Sequence, residues 1–197
     1  EKAISYPYEA PKKSFTFKNG KFYQGIHISL KNRIPIISIG SNRSPYQLKN
    51  KFGIKENLCV TPAKLYNSVI VYAASMSAYG SIPATQWPCE GSLSNLNLLW
   101  LSQDQLETMH LSEGLGMVYN FVELDKDTVI LENVHYLGPF FGYISIRGGY
   151  LFKDNFLFRL ENIESNKNTF NSINEYEALN KLYLDDYIGQ MPFKSWL

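Results

Sequence analysis

Charge is scarce in this chain of 197 residues. Only 19% of positions are Asp, Glu, Lys or Arg, and 19 basic side chains stand against 18 acidic ones. A net charge of +1 lacks the one-signed surface by which nucleic-acid and anionic-membrane proteins gather their partners. A small or weakly charged ligand is therefore expected, with no nucleic acid and no membrane as partner. Cysteine is as rare: Cys59 and Cys89 allow one bridge at most. Together with His27, His110 and His135 they give no zinc-binding spacing. Apolar residues reach 45% without a run of about 18, which removes a membrane-spanning helix. Glu1 to Ala10 shows no basic stretch leading into an apolar one, so no secretory leader is read and the cytoplasm is the expected compartment. Gly-x-Ser-x-Gly, the Walker loop, a full Gly-x-Gly-x-x-Gly, His-Glu-x-x-His and paired Cys-x-x-Cys are all missing. The common hydrolase, nucleotide and zinc readings lose their support.

What is present points to strands. Aromatic residues make up 15% of the chain, and flat rings pack well on pleated surfaces. The length suits one domain over 1–197, with an irregular N-terminal arm over 1–13. Asn19-Gly20 marks a hairpin between Ser14–Phe17 and Lys21–Tyr23. Pro35 to Ile39 reads as a strand running into Gly40, and Ser44-Pro45 with Gln47 opens a helix with an N-cap serine. Tyr66 to Ala74 and Leu93 to Leu101 read as buried strands, separated by turns around Gly80, Pro83 and Pro88. Ser102 with Gln105 forms a capping box, Leu101 and Leu106 a hydrophobic staple. The short helix they begin should bury Leu106 and Met109 and stop at Gly114. Met117 to Leu124 is expected as a strand with Thr128 to Leu131 pairing back on it. Further strands are expected at Phe140–Ile146, Gly149–Phe152 and Phe156–Leu160. A last helix fits Ile173 to Tyr187, with Tyr176, Leu179, Leu182 and Tyr183 on one stripe.

Two places carry chemical promise. At Gly40-Ser41-Asn42, between a strand and a helix start, successive backbone N–H groups can hold a carboxylate or oxyanion, although an ordinary capped turn has the same sequence. Glu113 lies in the last turn of the short helix, against the negative pole of its dipole, which tends to raise a carboxyl pKa and suits a proton shuttle; a solvated surface glutamate is the plain alternative. Arg43 could pair with a substrate carboxylate or simply be solvated. His110 reads as a rim or core residue, and Cys89 has no base beside it in sequence. Trp100 and Tyr72 are explained by strand packing.

The order Ile37-Ser38-Ile39-Gly40-Ser41-Asn42, Tyr79-Gly80, Ile82-Pro83-Ala84-Thr85, Leu99-Trp100-Leu101, Gln105-Leu106, Glu113-Gly114 and Met117-Val118-Tyr119 resembles the γ-glutamylcyclotransferase superfamily. The likeness covers a core over 36–124, leaving 125–197 for additional strands and the C-terminal helix. It implies an α+β fold, a small mixed β-barrel flanked by a few helices. It also implies release of 5-oxoproline from a γ-glutamyl amine or peptide by intramolecular aminolysis, without metal or cofactor. By the same resemblance Ile39, Gly40, Ser41, Asn42 and Tyr119 would bind substrate, and Glu113 would be the general acid/base. Ile39 stands where the family carries an aromatic residue, so a phenol hydroxyl is lost at that position. Two other outcomes fit the sequence: a non-catalytic domain binding a ligand or a protein, and an amide hydrolase or acyl transferase on the same scaffold.

Overall fold

A computed structural model describes residues 3–153 and 155–186. Its strands and helices, in chain order, are β1 (Phe15–Lys18), β2 (Lys21–Gln24), β3 (Ile34–Ser38), α1 (Pro45–Phe52), β4 (Leu58–Tyr72), β5 (Ala84–Leu101), α2 (Gln103–Glu113), β6 (Tyr119–Leu124), β7 (Val129–Leu131), β8 (Phe140–Ser145), β9 (Arg159–Leu160), β10 (Ser165–Asn166), β11 (Ser172–Ile173) and α3 (Glu175–Asp186). The class is α+β: one large, mostly antiparallel sheet with three α-helices among the described residues. The strand path runs β11-β9-β4-β5-β3-β8-β6, and its two ends do not pair with each other among the described residues. The ladder is thus open where the sequence reading expected a barrel. Among the described residues no helix is long and apolar enough to cross a membrane.

Alternation along β5 explains why both faces of the sheet are covered. Successive side chains of a strand point to opposite sides. Leu98 and Trp100 join one buried cluster, with Ile37, Ile70 and Leu179 of α3. Leu99 and Leu101 join another, with Ile36, Leu48 of α1 and Leu106 and Met109 of α2. Each such side chain contributes about 1.5–3 kcal/mol by leaving water. The helices are held to the sheet by these faces.

Several expected boundaries move, each for an identifiable reason. β4 and β5 are longer than the pattern suggested because prolines fall at tolerant places. Pro88 sits beside a bulge, where Asn67 takes φ 57° and the register shifts between Tyr66 and Ser68. Pro62 falls in the gap between the residues of β4 that pair with β1 and those that pair with β7. The segment Thr128–Leu131 does not return to its predecessor. A 3-10 turn over Lys126–Thr128, capped by Asp125, replaces a tight hairpin turn, so β7 pairs with β4 while β6 pairs with β8. Met117 and Val118 belong to a turn rather than to β6, since Gly114 and Gly116 both take positive φ. Gly149–Phe152 and Phe156–Leu160 yield only isolated bridges and the two-residue β9, because turns at Gly148 and Asn155 interrupt them. In α1 the Ser44 side chain makes no cap bond; Pro45 alone opens the helix. α3 starts at Glu175 because Asn174 and Glu177 exchange reciprocal backbone–side-chain bonds, each 3.0 Å. Tyr176 is exposed, off the buried stripe of Ala178, Leu179, Leu182 and Tyr183. Tyr187 lies outside the described residues, as do Glu1 and Lys2 of the arm. The rest of that arm is less irregular than expected: Ala3–Ser5 form a 3-10 turn and Tyr6 is buried.

Candidate functional site

Glu113 and the Gly40–Asn42 bend are some seventy positions apart, and helix length brings them together. β3 and β5 are antiparallel, with Ile34 opposite Leu101 and Ser38 opposite Asn97. Leaving β5 beside Ile34, α2 must travel the length of β3 to reach the bend beyond Ser38. Its 11 residues rise about 16 Å, close to the roughly 17 Å of a five-residue strand. The start of α2 is fixed by its capping box. Ser102 Oγ accepts from Gln105 N–H, and Gln105 Oε1 accepts from Ser102 N–H at 3.0 Å. Its end is fixed by Gly114 in the left-handed region, φ 63° and ψ 49°, whose N–H reaches His110 and Leu111 carbonyls. Both signals stood in the sequence as predicted.

At that end the carboxylate is not alone. Lys51 Nζ of α1 donates to Glu113 Oε1 at 2.5 Å and to Asn42 Oδ1 at 2.8 Å, while Asn42 Nδ2 donates to the same Glu113 oxygen at 3.1 Å. Three side chains form a closed ring of hydrogen bonds. Both members of the ion pair are mostly buried, with side-chain exposures of 17% and 16%. All three bonds involve Oε1 or Asn42, and Glu113 Oε2 takes none among the described residues. The arrangement thus anchors one carboxylate oxygen and leaves the other available.

Beside this charged corner stands a wall of phenols, two of them bonded to Ala84. The Tyr119 hydroxyl donates to the Ala84 carbonyl at 2.9 Å, and the Ala84 N–H donates to the Tyr6 hydroxyl at 2.8 Å. Tyr143 is hydrogen-bonded to His110 Nδ1 at 2.8 Å. Burial pushes the ionisation of Tyr6, Tyr119 and Tyr143 upward, and the Glu113 charge acts in the same direction on each. These phenols are neutral donors or acceptors at any ordinary pH.

Corner and wall line one cavity of about 580 Å³. Ile39, Gly40, Ser41, Asn42, Glu113 and Tyr119, the six residues to which the resemblance assigns binding or catalysis, border it. Of the lining residues that the sequence reading did not assign, Lys51, Tyr143 and Tyr6 matter most to the chemistry. Lys51 follows the buried Leu48 by three positions, so the helical period puts both on one inward face, a signal that could have been read. Tyr143 lies in a strand recognised only as packing. Tyr6 gave no signal, because nothing periodic surrounds it in the proline-containing arm. Arg43 does not border this cavity; its Nε donates to Asn97 Oδ1 at 2.8 Å and burial lowers its pKa to about 10. His110 stays behind the lining, edge-on to Phe121 and bonded to Tyr143. Cys59 and Cys89 are both free thiols, and burial pushes Cys59 up. Among the described residues no group of three or more His, Cys, Asp or Glu stands together as a metal site.

No protein-family model matches the chain, and no curated protein matches it. Two solved structures are similar in shape. The solution structure of At5g39720.1 from Arabidopsis thaliana aligns with a TM-score of 0.48 at 17% identity, over 66% of this chain and 79% of that one. The crystal structure of uncharacterized protein loc79017 from Homo sapiens, in an ensemble refinement, aligns with a TM-score of 0.45 at 14% identity, over 58% and 68%.

Proposed function

We propose that the chain is a γ-glutamylcyclotransferase-like enzyme that releases 5-oxoproline from a γ-glutamyl amine or peptide, with Glu113 as general acid/base. The observation that carries this reading is the convergence of Glu113 and the Gly40–Asn42 bend on one cavity, joined by the Asn42–Glu113 hydrogen bond. Ring closure forms one C–N bond, breaks another and moves two protons from the substrate α-nitrogen to the departing nitrogen. No water is consumed. Glu113 Oε2 takes each proton and returns it to the leaving amine, which departs as an ammonium. Oε1 stays fixed by Lys51 and Asn42, so the carboxylate does not rotate away between the two transfers. The bend N–H groups hold the substrate, and folding it so that its amine meets its own carbonyl makes the reaction unimolecular. The small mixed barrel that accompanies this activity in the resembling family belongs to the same proposal.

Incubation with γ-glutamyl amines and peptides, followed by mass spectrometry, tests it. The expected product is 5-oxoproline from the native chain and at least about a hundredfold less from Glu113→Gln, which keeps shape and removes basicity. Undiminished release by that variant rejects the role of Glu113. Free glutamate as product would assign an amide hydrolase instead.

A further inference from the structure

The cavity has an anion-recognition problem. Among the described residues Lys51 is the only lysine or arginine on its lining, and its ammonium is committed to Glu113 and Asn42. A γ-glutamyl substrate brings an α-carboxylate, which must then be received by neutral donors. The other lining phenols already have partners inside the protein: Tyr119 donates to the Ala84 carbonyl, Tyr143 shares a hydrogen bond with His110 Nδ1, and Tyr79 shares one with Ser41.

Tyr6 differs. It is 5% exposed, borders the cavity, and its oxygen accepts the Ala84 N–H; its own proton has no acceptor among the described residues. A buried donor left unmatched is costly, so a ligand that accepts from it gains accordingly. The neighbouring glycine is shaped around this phenol. A Cβ on Gly40 would stand 2.2 Å from the Tyr6 oxygen, while the backbone there has φ −137°, outside the left-handed region. Gly40 is therefore required for space, and what approaches it is Tyr6 of this chain. Tyr6 meets the Gly40 end of the bend, whereas the Glu113 carboxylate is tied to the Asn42 end, so the phenol and the carboxylate approach the bend at different residues.

We propose that Tyr6 is a substrate-binding residue, donating its phenol proton to the α-carboxylate beside the Gly40–Asn42 N–H groups. The N-terminal arm thereby becomes part of the site and supplies a phenol that Ile39 cannot. This inference rests on the γ-glutamyl reading above.

Calorimetry with 5-oxoproline and with its uncharged carboxamide tests it without turnover. The native chain is expected to prefer the carboxylate. Tyr6→Phe should bind 5-oxoproline about tenfold more weakly and the carboxamide less than about twofold more weakly. Gly40→Ala should reproduce that loss. If Tyr6→Phe keeps the native discrimination, or if only its kcat falls while affinity stands, this inference is overturned and the function of Glu113 is untouched. Failure of the native chain to bind either compound overturns both. Should the variant not fold, a crystal structure of the native chain with 5-oxoproline decides: a carboxylate oxygen within hydrogen-bond distance of the Tyr6 oxygen is expected, and a carboxylate at Lys51 overturns it.

Discussion

The two sides of the cavity are built on different terms. At the charged corner, Lys51, Asn42 and Glu113 are held by one another, side chain to side chain, with part of each charge in contact with solvent. On the phenol wall, Tyr6 and Tyr119 are held by the main chain of a single residue, Ala84, and are almost fully buried. A group held by side chains can be exchanged with little consequence for the backbone, whereas a group that satisfies a buried peptide cannot be removed without leaving that peptide unpaired. Substitutions at the corner should therefore act on turnover, and substitutions on the wall on turnover and stability together.

Glu113→Gln separates the two sides most sharply, with its hundredfold loss of turnover accompanied by a melting temperature within a few degrees of native. Lys51→Met comes next. It leaves the carboxylate without its cation and free to swing, so turnover should fall about tenfold, read in single-turnover experiments, while 5-oxoproline affinity changes little. A native rate in Lys51→Met would mean that the ion pair ties α1 to α2 and does nothing more. On the wall, Tyr119→Phe removes the donor to the Ala84 carbonyl. The expected cost is about 1–2 kcal/mol, a fall of roughly 2–8 °C in a thermal melt. An unchanged melt would show that water replaces the hydroxyl and that the wall is not sealed.

The same contrast explains what the sequence made legible. α2 could be read almost to the residue, because Ser102, Gln105 and Gly114 act on their own near neighbours, and its length then dictates where Glu113 arrives. The Asn19-Gly20 hairpin is equally local, with Asn19 at φ 52° and Gly20 at φ 72°. Ladder partners are not local. Nothing within Val129–Leu131 says that it pairs with β4 rather than with the strand before it, since that choice lies in a 3-10 turn and in an open edge provided by residues 64 to 68 positions away. The corner was two-thirds readable, through Asn42 and Glu113, with Lys51 recoverable from helical period. The wall was readable only at Tyr119. Tyr6 owes its place to an empty volume at Gly40 and to one peptide of β5, and neither leaves a trace in the sequence around it.

Behind the wall lies the group with the smallest expected effect at low pH and a distinctive effect above it. Glu175 at the start of α3 is 2% exposed; its Oε1 accepts from Ile82 N–H at 2.6 Å, while Oε2 has no partner among the described residues. Burial raises its pKa to about 8, opposed by that one hydrogen bond. An ordinary carboxyl in the unfolded chain titrates near 4.3, so between there and about 8 the folded protein holds a proton that the unfolded chain has lost. The unfolded state is the one favoured by deprotonation. Stability from this group is therefore fully present below about pH 4.3 and is lost as pH rises through the folded value. Glu175→Gln keeps the bond to Ile82 and cannot ionise. Its melting temperature should match the native one near pH 4 and exceed it progressively up to about pH 8, with the difference levelling off beyond. Parallel melting curves for the two proteins across that range would mean that solvent reaches Glu175, and that α3 does not seal the back of the Ile82–Ala84 segment on which both phenols depend.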